Sequence, residues 1–161
     1  FFTILFTPLF GALVDKVGKA TLWMIVGSAL VLISHLIITF APQGEPVYAY
    51  IAIALLGTGY SLVPSAMWPS VPKIIPEKNL GTAYSLIYWV QNLGMWAVPI
   101  YVGRIFKNTI TEAGNATQEI SAAIRAEYVF IFLGIIAIAT ALMLYFSSKR
   151  HPELRLDKAA K

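Results

Sequence analysis

The chain has 161 residues, of which 58% are hydrophobic and only 12% charged, with a net charge of +4 and no cysteine. Soluble domains carry about twice that share of charge, so the composition excludes a water-soluble globule, and the missing cysteines exclude disulfides and thiolate metal sites. The positive charge does not point to nucleic acid, because the charges sit in short islands between apolar runs, the pattern that sets membrane topology.

A membrane helix needs about 20 mostly apolar residues. Residues 1–14 are charge-free but too short to span, and read as the end of a helix that starts upstream. A turn follows in which Asp15, Lys16 and Lys19 arrive together, flanked by Gly11 and Gly18. Charge-free runs then cover 22–40, 47–72, 81–103 and 128–148. Barrel strands alternate over about ten residues and do not give unbroken runs of this kind. The expected fold class is all-α integral membrane, with one partial plus four complete transmembrane helices. Residues 1–148 form the bundle and residues 149–161 a basic tail.

The links carry turn chemistry. Pro42, Gly44 and Pro46 predict a tight hairpin after the second helix. Pro69, Pro72 and Pro76 break the third helix near its end. Residues 104–127 form the longest polar link, in which 117–126 could be a short surface helix. Within that link Asn115-Ala116-Thr117 is a glycosylation sequon, usable in a eukaryotic secretory membrane.

Lys and Arg counts set the orientation. Lys16, Lys19, Lys73, Lys78, Lys149, Arg150, Arg155, Lys158 and Lys161 fall on one side, and Arg104, Lys107 and Arg125 on the other. Nine against three puts the first group, with the C-terminus, in the cytoplasm. The expected setting is an integral, multi-pass protein of a bacterial inner membrane, with a lysosomal or other eukaryotic membrane as the alternative.

Polar residues inside the spans mark candidate sites. On the span 81–103, Tyr84, Tyr88, Gln91, Asn92 and Met95 recur at helical spacing and share one face. That face serves either as the wall of a solute cavity or as interhelical glue. Tyr60, Ser65 and Trp68 are the corresponding candidates on the third helix, where Pro64 interrupts the hydrogen-bond ladder. Thr3 and Thr7 either face the cavity or bond back to their own helix. His35 is the only titratable group deep in a complete span, tyrosines aside. It is linked to proton movement or is a neutral ring satisfied by a partner. An enzyme is not expected, since the spans offer neither a nucleophile with its base nor clustered metal ligands. No cofactor and no metal are called for.

The turn 11–20 has a readable physics. Its glycines allow a short connection, and Asp15 is suited to the positive end of a helix. Gly11-x-x-x-Asp15-Lys16-x-Gly18-Lys19 resembles the signature loop of the major facilitator superfamily, Gly-x-x-x-Asp-Arg/Lys-x-Gly-Arg/Lys-Arg/Lys. Only Ala20 departs from it, in place of a final basic residue. The string MWPSVPKIIPEKNLGTAYSLIYWVQNLG, residues 67–94, resembles helices 10 and 11 of a branch of that superfamily that includes lysosomal dipeptide transporters and bacterial relatives. The resemblance implies the end of helix 8 through helix 12 of a twelve-helix fold. It implies a secondary active or facilitative transporter of a small polar solute, dipeptides above all, working by alternating access. Gly11, Asp15, Lys16, Gly18 and Lys19 would then form a cytoplasmic gating loop. The implied partners are the small-molecule substrate, the lipid bilayer and the N-terminal half of the same transporter. A non-transporting receptor or assembly subunit on the same fold is the alternative.

Overall fold

A computed structural model describes residues 2–42, 44–111, 114–154 and 156–158. The tail residues Arg155 and Lys161, counted above for orientation, lie outside them. Among the described residues six α-helices follow in order: α1 (Phe2–Val17), α2 (Ala20–Phe40), α3 (Pro46–Met67), α4 (Val71–Ile74), α5 (Leu80–Thr109) and α6 (Ala116–Arg150). Three helical stretches, 20–40, 46–74 and 116–150, are long and apolar enough to cross a membrane. α5 has 30 residues, about 45 Å at 1.5 Å per residue, but it is more polar.

The chain's breakers fall where proline chemistry puts them. Pro46 opens α3 at a position where a missing N–H costs nothing. Pro69 and Pro72 each sit at the start of a short helical piece, and Ile75 is already extended. Gly18 (φ 71) and Lys19 (φ 58) are both left-handed, which lets α1 turn into α2 within two residues.

The polar link is shorter than the sequence suggests. α5 runs on through Arg104 to Thr109, and α6 starts at Ala116. The stretch 117–126 is therefore no separate surface helix; it is the first turns of one 35-residue helix. Asn115 caps that helix, its Oδ1 accepting from the Gln118 N–H at 3.0 Å. The cap makes the start possible where composition alone reads as a loop.

The core is small and sits near the α1–α2 turn. Val14, Ala20, Met24, Ala66 and Ala141 are buried there, with Trp23, Ile25, Met67 and Leu144 packed around them. Farther along, α2 and α3 approach through glycines. A Cβ on Gly59 would stand 2.6 Å from the Gly27 carbonyl oxygen, so only hydrogen fits. Gly134 gives α6 a similar close approach to Leu32 of α2. α5 buries none of its residues. Its apolar surface, Trp89, Met95 and Trp96 included, is left open.

Candidate functional site

Two groups of candidate residues lie at the end of the bundle marked by the α1–α2 turn. In the turn itself, Gly18 N–H donates to the Val14 carbonyl at 2.8 Å and closes α1. The Trp23 indole Nε1 donates to the Gly18 carbonyl at 3.0 Å. Gly18 is buried, whereas Asp15, Lys16 and Lys19 are exposed. Gly11 has open space where a Cβ would be. The turn thus presents a carboxylate and two ammonium groups outward from a hydrogen-bonded backbone.

The carboxylate that meets a helix N-terminus is that of Asp157. Its Oδ1 accepts from the Thr21 N–H at 3.0 Å and from the Thr21 hydroxyl at 2.8 Å. Ser148 Oγ donates to Oδ2 at 2.9 Å. Nothing in the sequence spacing announces a contact across 136 positions.

The second group is aromatic. The Trp68 ring stacks on Tyr88 at 5.0 Å between centroids and tilts against Tyr84 at 5.8 Å. The Tyr84 hydroxyl reaches toward the Trp68 carbonyl at 3.5 Å. Both tyrosines sit on α5, four residues apart, and Trp68 follows α3 directly, so the end of α3 and the start of α5 are joined by rings. Gln91 and Asn92 continue the same face and are exposed. Asn92 Nδ2 donates to the Tyr88 carbonyl at 2.8 Å, which leaves its oxygen free to accept.

The structure separates the α3 candidates. Tyr60 is exposed, while Ser65 is buried. Ser65 Oγ bonds the Ser61 carbonyl at 2.7 Å and the Thr7 carbonyl at 3.0 Å. It ties α3 to α1, and it does not join the Trp68–Tyr88 face. A proline at position 64 has no N–H to give the carbonyl at position 60, and hydroxyls of the same helix turn, Ser61 to Gly57 and Ser65 to Ser61, bond backward along it.

His35 lies toward the opposite end. Its Nδ1 is 2.7 Å from Glu127 Oε2, and its ring stacks on Phe130 at 5.1 Å. Glu127 escaped the sequence reading because residues 104–127 counted there as a loop. The continuation of α6 is what turns it toward α2.

A concavity of about 870 Å³ lies between α5 and α6 and includes Trp96, Tyr101, Arg104, Arg125, Tyr128 and Phe132. At about 100° per residue, its α5 residues fall roughly half a turn away from Tyr84, Tyr88, Gln91 and Asn92. The groove and the polar face are separate features of one helix. Among the described residues no group of three or more His, Cys, Asp or Glu is placed to hold a metal ion.

A family model described as Major Facilitator Superfamily matches residues 1–161. Over 99 residues, 62% of this chain, the chain is 43% identical to the lysosomal dipeptide transporter MFSD1 of Mus musculus and 41% identical to that of Homo sapiens. It is 28% identical over 124 residues, 74% of this chain, to the efflux pump DEP3 of Fusarium langsethiae. In each case the match covers about a fifth of the relative's length (20% for the two mammalian proteins and 22% for the fungal one). No solved structure matches the chain.

Proposed function

The chain belongs to the major facilitator superfamily, and from that premise we propose that it is part of a twelve-helix transporter, from the end of helix 8 to helix 12. The transporter moves a small polar solute by alternating access, the two halves rocking around a site between them. Dipeptides and similar peptide-like solutes are the favoured cargo.

The observation that carries this reading is the face formed by Trp68, Tyr84, Tyr88, Gln91 and Asn92, with its stacked rings and exposed amides. A peptide bond presents one donor and one acceptor, and a carboxamide side chain answers both. The rings offer apolar surface to the solute's side chains. That the mammalian relatives are lysosomal dipeptide transporters favours dipeptides in particular. The fungal efflux pump supports transport without narrowing the cargo.

This face carries no Asp, Glu, Lys or Arg. A zwitterionic solute needs countercharges where water is excluded, and the N-terminal half would supply them. Gly11, Asp15, Lys16, Gly18 and Lys19 brace the cytoplasmic side against that half. His35 acts as a tie between two helices. The membrane is a bacterial inner membrane or a eukaryotic one such as the lysosomal membrane. In both, the turn, Lys73 and the tail face the cytosol.

The test is ligand-dependent melting of the full-length transporter in detergent. At ten times Kd, a bound solute stabilises by about 1.4 kcal/mol. Dipeptides should raise the melting temperature, free amino acids and sugars should not, and Gln91→Ala should reduce the rise. A shift with sugars or nucleosides but no dipeptide would overturn the cargo assignment.

A further inference from the structure

α2 begins without a cap of its own. Lys19 holds the cap position with no side-chain hydrogen bond, and a lysine side chain has no acceptor to offer. The first N–H groups of a helix need acceptors from outside it. Here they come from the far end of the chain. Asp157 takes the Thr21 N–H on Oδ1 at 3.0 Å, and its backbone carbonyl takes the Lys19 N–H at 2.9 Å.

The same residue is held on every side. The Thr21 hydroxyl is shared between the two carboxylate oxygens at 2.8 and 3.0 Å, and Ser148 of α6 donates to Oδ2. Lys73 of α4 donates to the backbone carbonyls of Leu156 and Lys158 at 3.4 and 3.1 Å. Leu156 is 1% exposed and Thr21 is fully buried. Three helices therefore meet on residues 156–158: the start of α2, the end of α6, and α4.

We propose that residues 156–158 are a clasp that fixes the α1–α2 turn, with Asp157 as the cap that α2 lacks. A left-handed conformation at a non-glycine residue is strained. The turn holds two left-handed residues in succession, and the second is Lys19. The bond from the Lys19 N–H to Asp157 fixes that residue in place. What the clasp sets is the direction in which Asp15 and Lys16 face outward from the end of α1. The C-terminal tail is then a positioning element for the gating turn. Its consequence for transport rests on the function proposed above; the clasp itself does not.

Amide hydrogen exchange on the full-length protein tests this without any solute, so failure of the clasp and failure of the transport reading are told apart. Asp157→Ala, and truncation after Arg150, should speed exchange in a peptide covering residues 18–25 by about tenfold, the scale of a lost N-cap. Exchange within α3 should stay unchanged. Asp157→Asn keeps an acceptor oxygen and should retain most of the protection. Equal exchange at 18–25 in wild type, Asp157→Ala and the truncation would overturn the proposal. If Asp157→Ala also exposes α3 and so unfolds, Lys73→Met is read instead. It releases the tail from its outer side, and unchanged exchange at 18–25 in that variant contradicts the clasp.

Discussion

His35 of α2 and Glu127 of α6 meet at 2.7 Å, Nδ1 to Oε2, with the imidazole laid flat on Phe130 at an interplanar angle of 11°. Their side chains are only 13% and 17% exposed. The contact joins two long helices far from the α1–α2 turn, so α2 and α6 are pinned near both ends: here by His35 and Glu127, at the other end by Thr21, Asp157 and Ser148.

Breaking this tie should cost stability. Glu127→Gln keeps an acceptor and should lose less than about 1 kcal/mol, while Glu127→Leu should lose about 1–3 kcal/mol, as expected for an orphaned buried donor. Melting of the full-length protein in detergent reads both. If His35 is a structural tie, His35→Gln lowers the melting temperature but leaves proton-gradient dependence of uptake as in wild type. Loss of that dependence with unchanged stability would make His35 a proton carrier instead.

The glycine contact between α2 and α3 makes a second, sharper prediction. A Cβ on Gly59 meets the Gly27 carbonyl at 2.6 Å and Val31 Cγ2 at 2.9 Å. Gly59→Ala should therefore destabilise by about 1–3 kcal/mol through overpacking. Gly11→Ala meets nothing within 4 Å and should be neutral or slightly stabilising in a helix. If Gly11→Ala nevertheless slows transport at unchanged stability, the glycine is needed for close approach of the other half. Equal melting temperatures for Gly59→Ala and wild type would refute the close packing.

Much of the fold is legible in the sequence because membrane helices announce themselves by apolar length. The turn at Gly18, the break at Pro69 to Pro76 and the start at Pro46 follow from backbone chemistry. The limits of α5 and α6 do not. Arg104, Lys107, Arg125 and Glu127 look like loop residues by charge, yet α5 runs on through the first two and α6, capped by Asn115, through the last two. The shared face of Tyr84, Tyr88, Gln91 and Asn92 was readable from the period of 3.6. That Trp68 closes on it, and that Ser65 turns to Thr7 instead, depends on how α1, α3 and α5 pack. The roles of Asp157 and Glu127 were invisible for the same reason, since contacts across 136 and 92 positions leave no local pattern.

Ser65 and Trp68 should now behave differently although three positions separate them. Ser65→Ala removes bonds to the Ser61 and Thr7 carbonyls and should cost about 1 kcal/mol of stability with solute affinity unchanged. Trp68→Ala removes the stack on Tyr88 and should weaken solute binding by about tenfold, near the upper end of what an aromatic contact is worth. Thermal melting with and without dipeptide separates the two effects. The reverse pattern, affinity lost in Ser65→Ala and kept in Trp68→Ala, would put the solute between α1 and α3.

The most direct measurement is dipeptide counterflow with the full-length protein in liposomes. Vesicles loaded with unlabelled dipeptide should take up labelled dipeptide faster than protein-free vesicles, and Tyr88→Ala should cut the rate by about tenfold, the same scale as loss of the aromatic stack. Uptake no faster than in protein-free vesicles, with folded protein and a panel of dipeptides, would contradict the account.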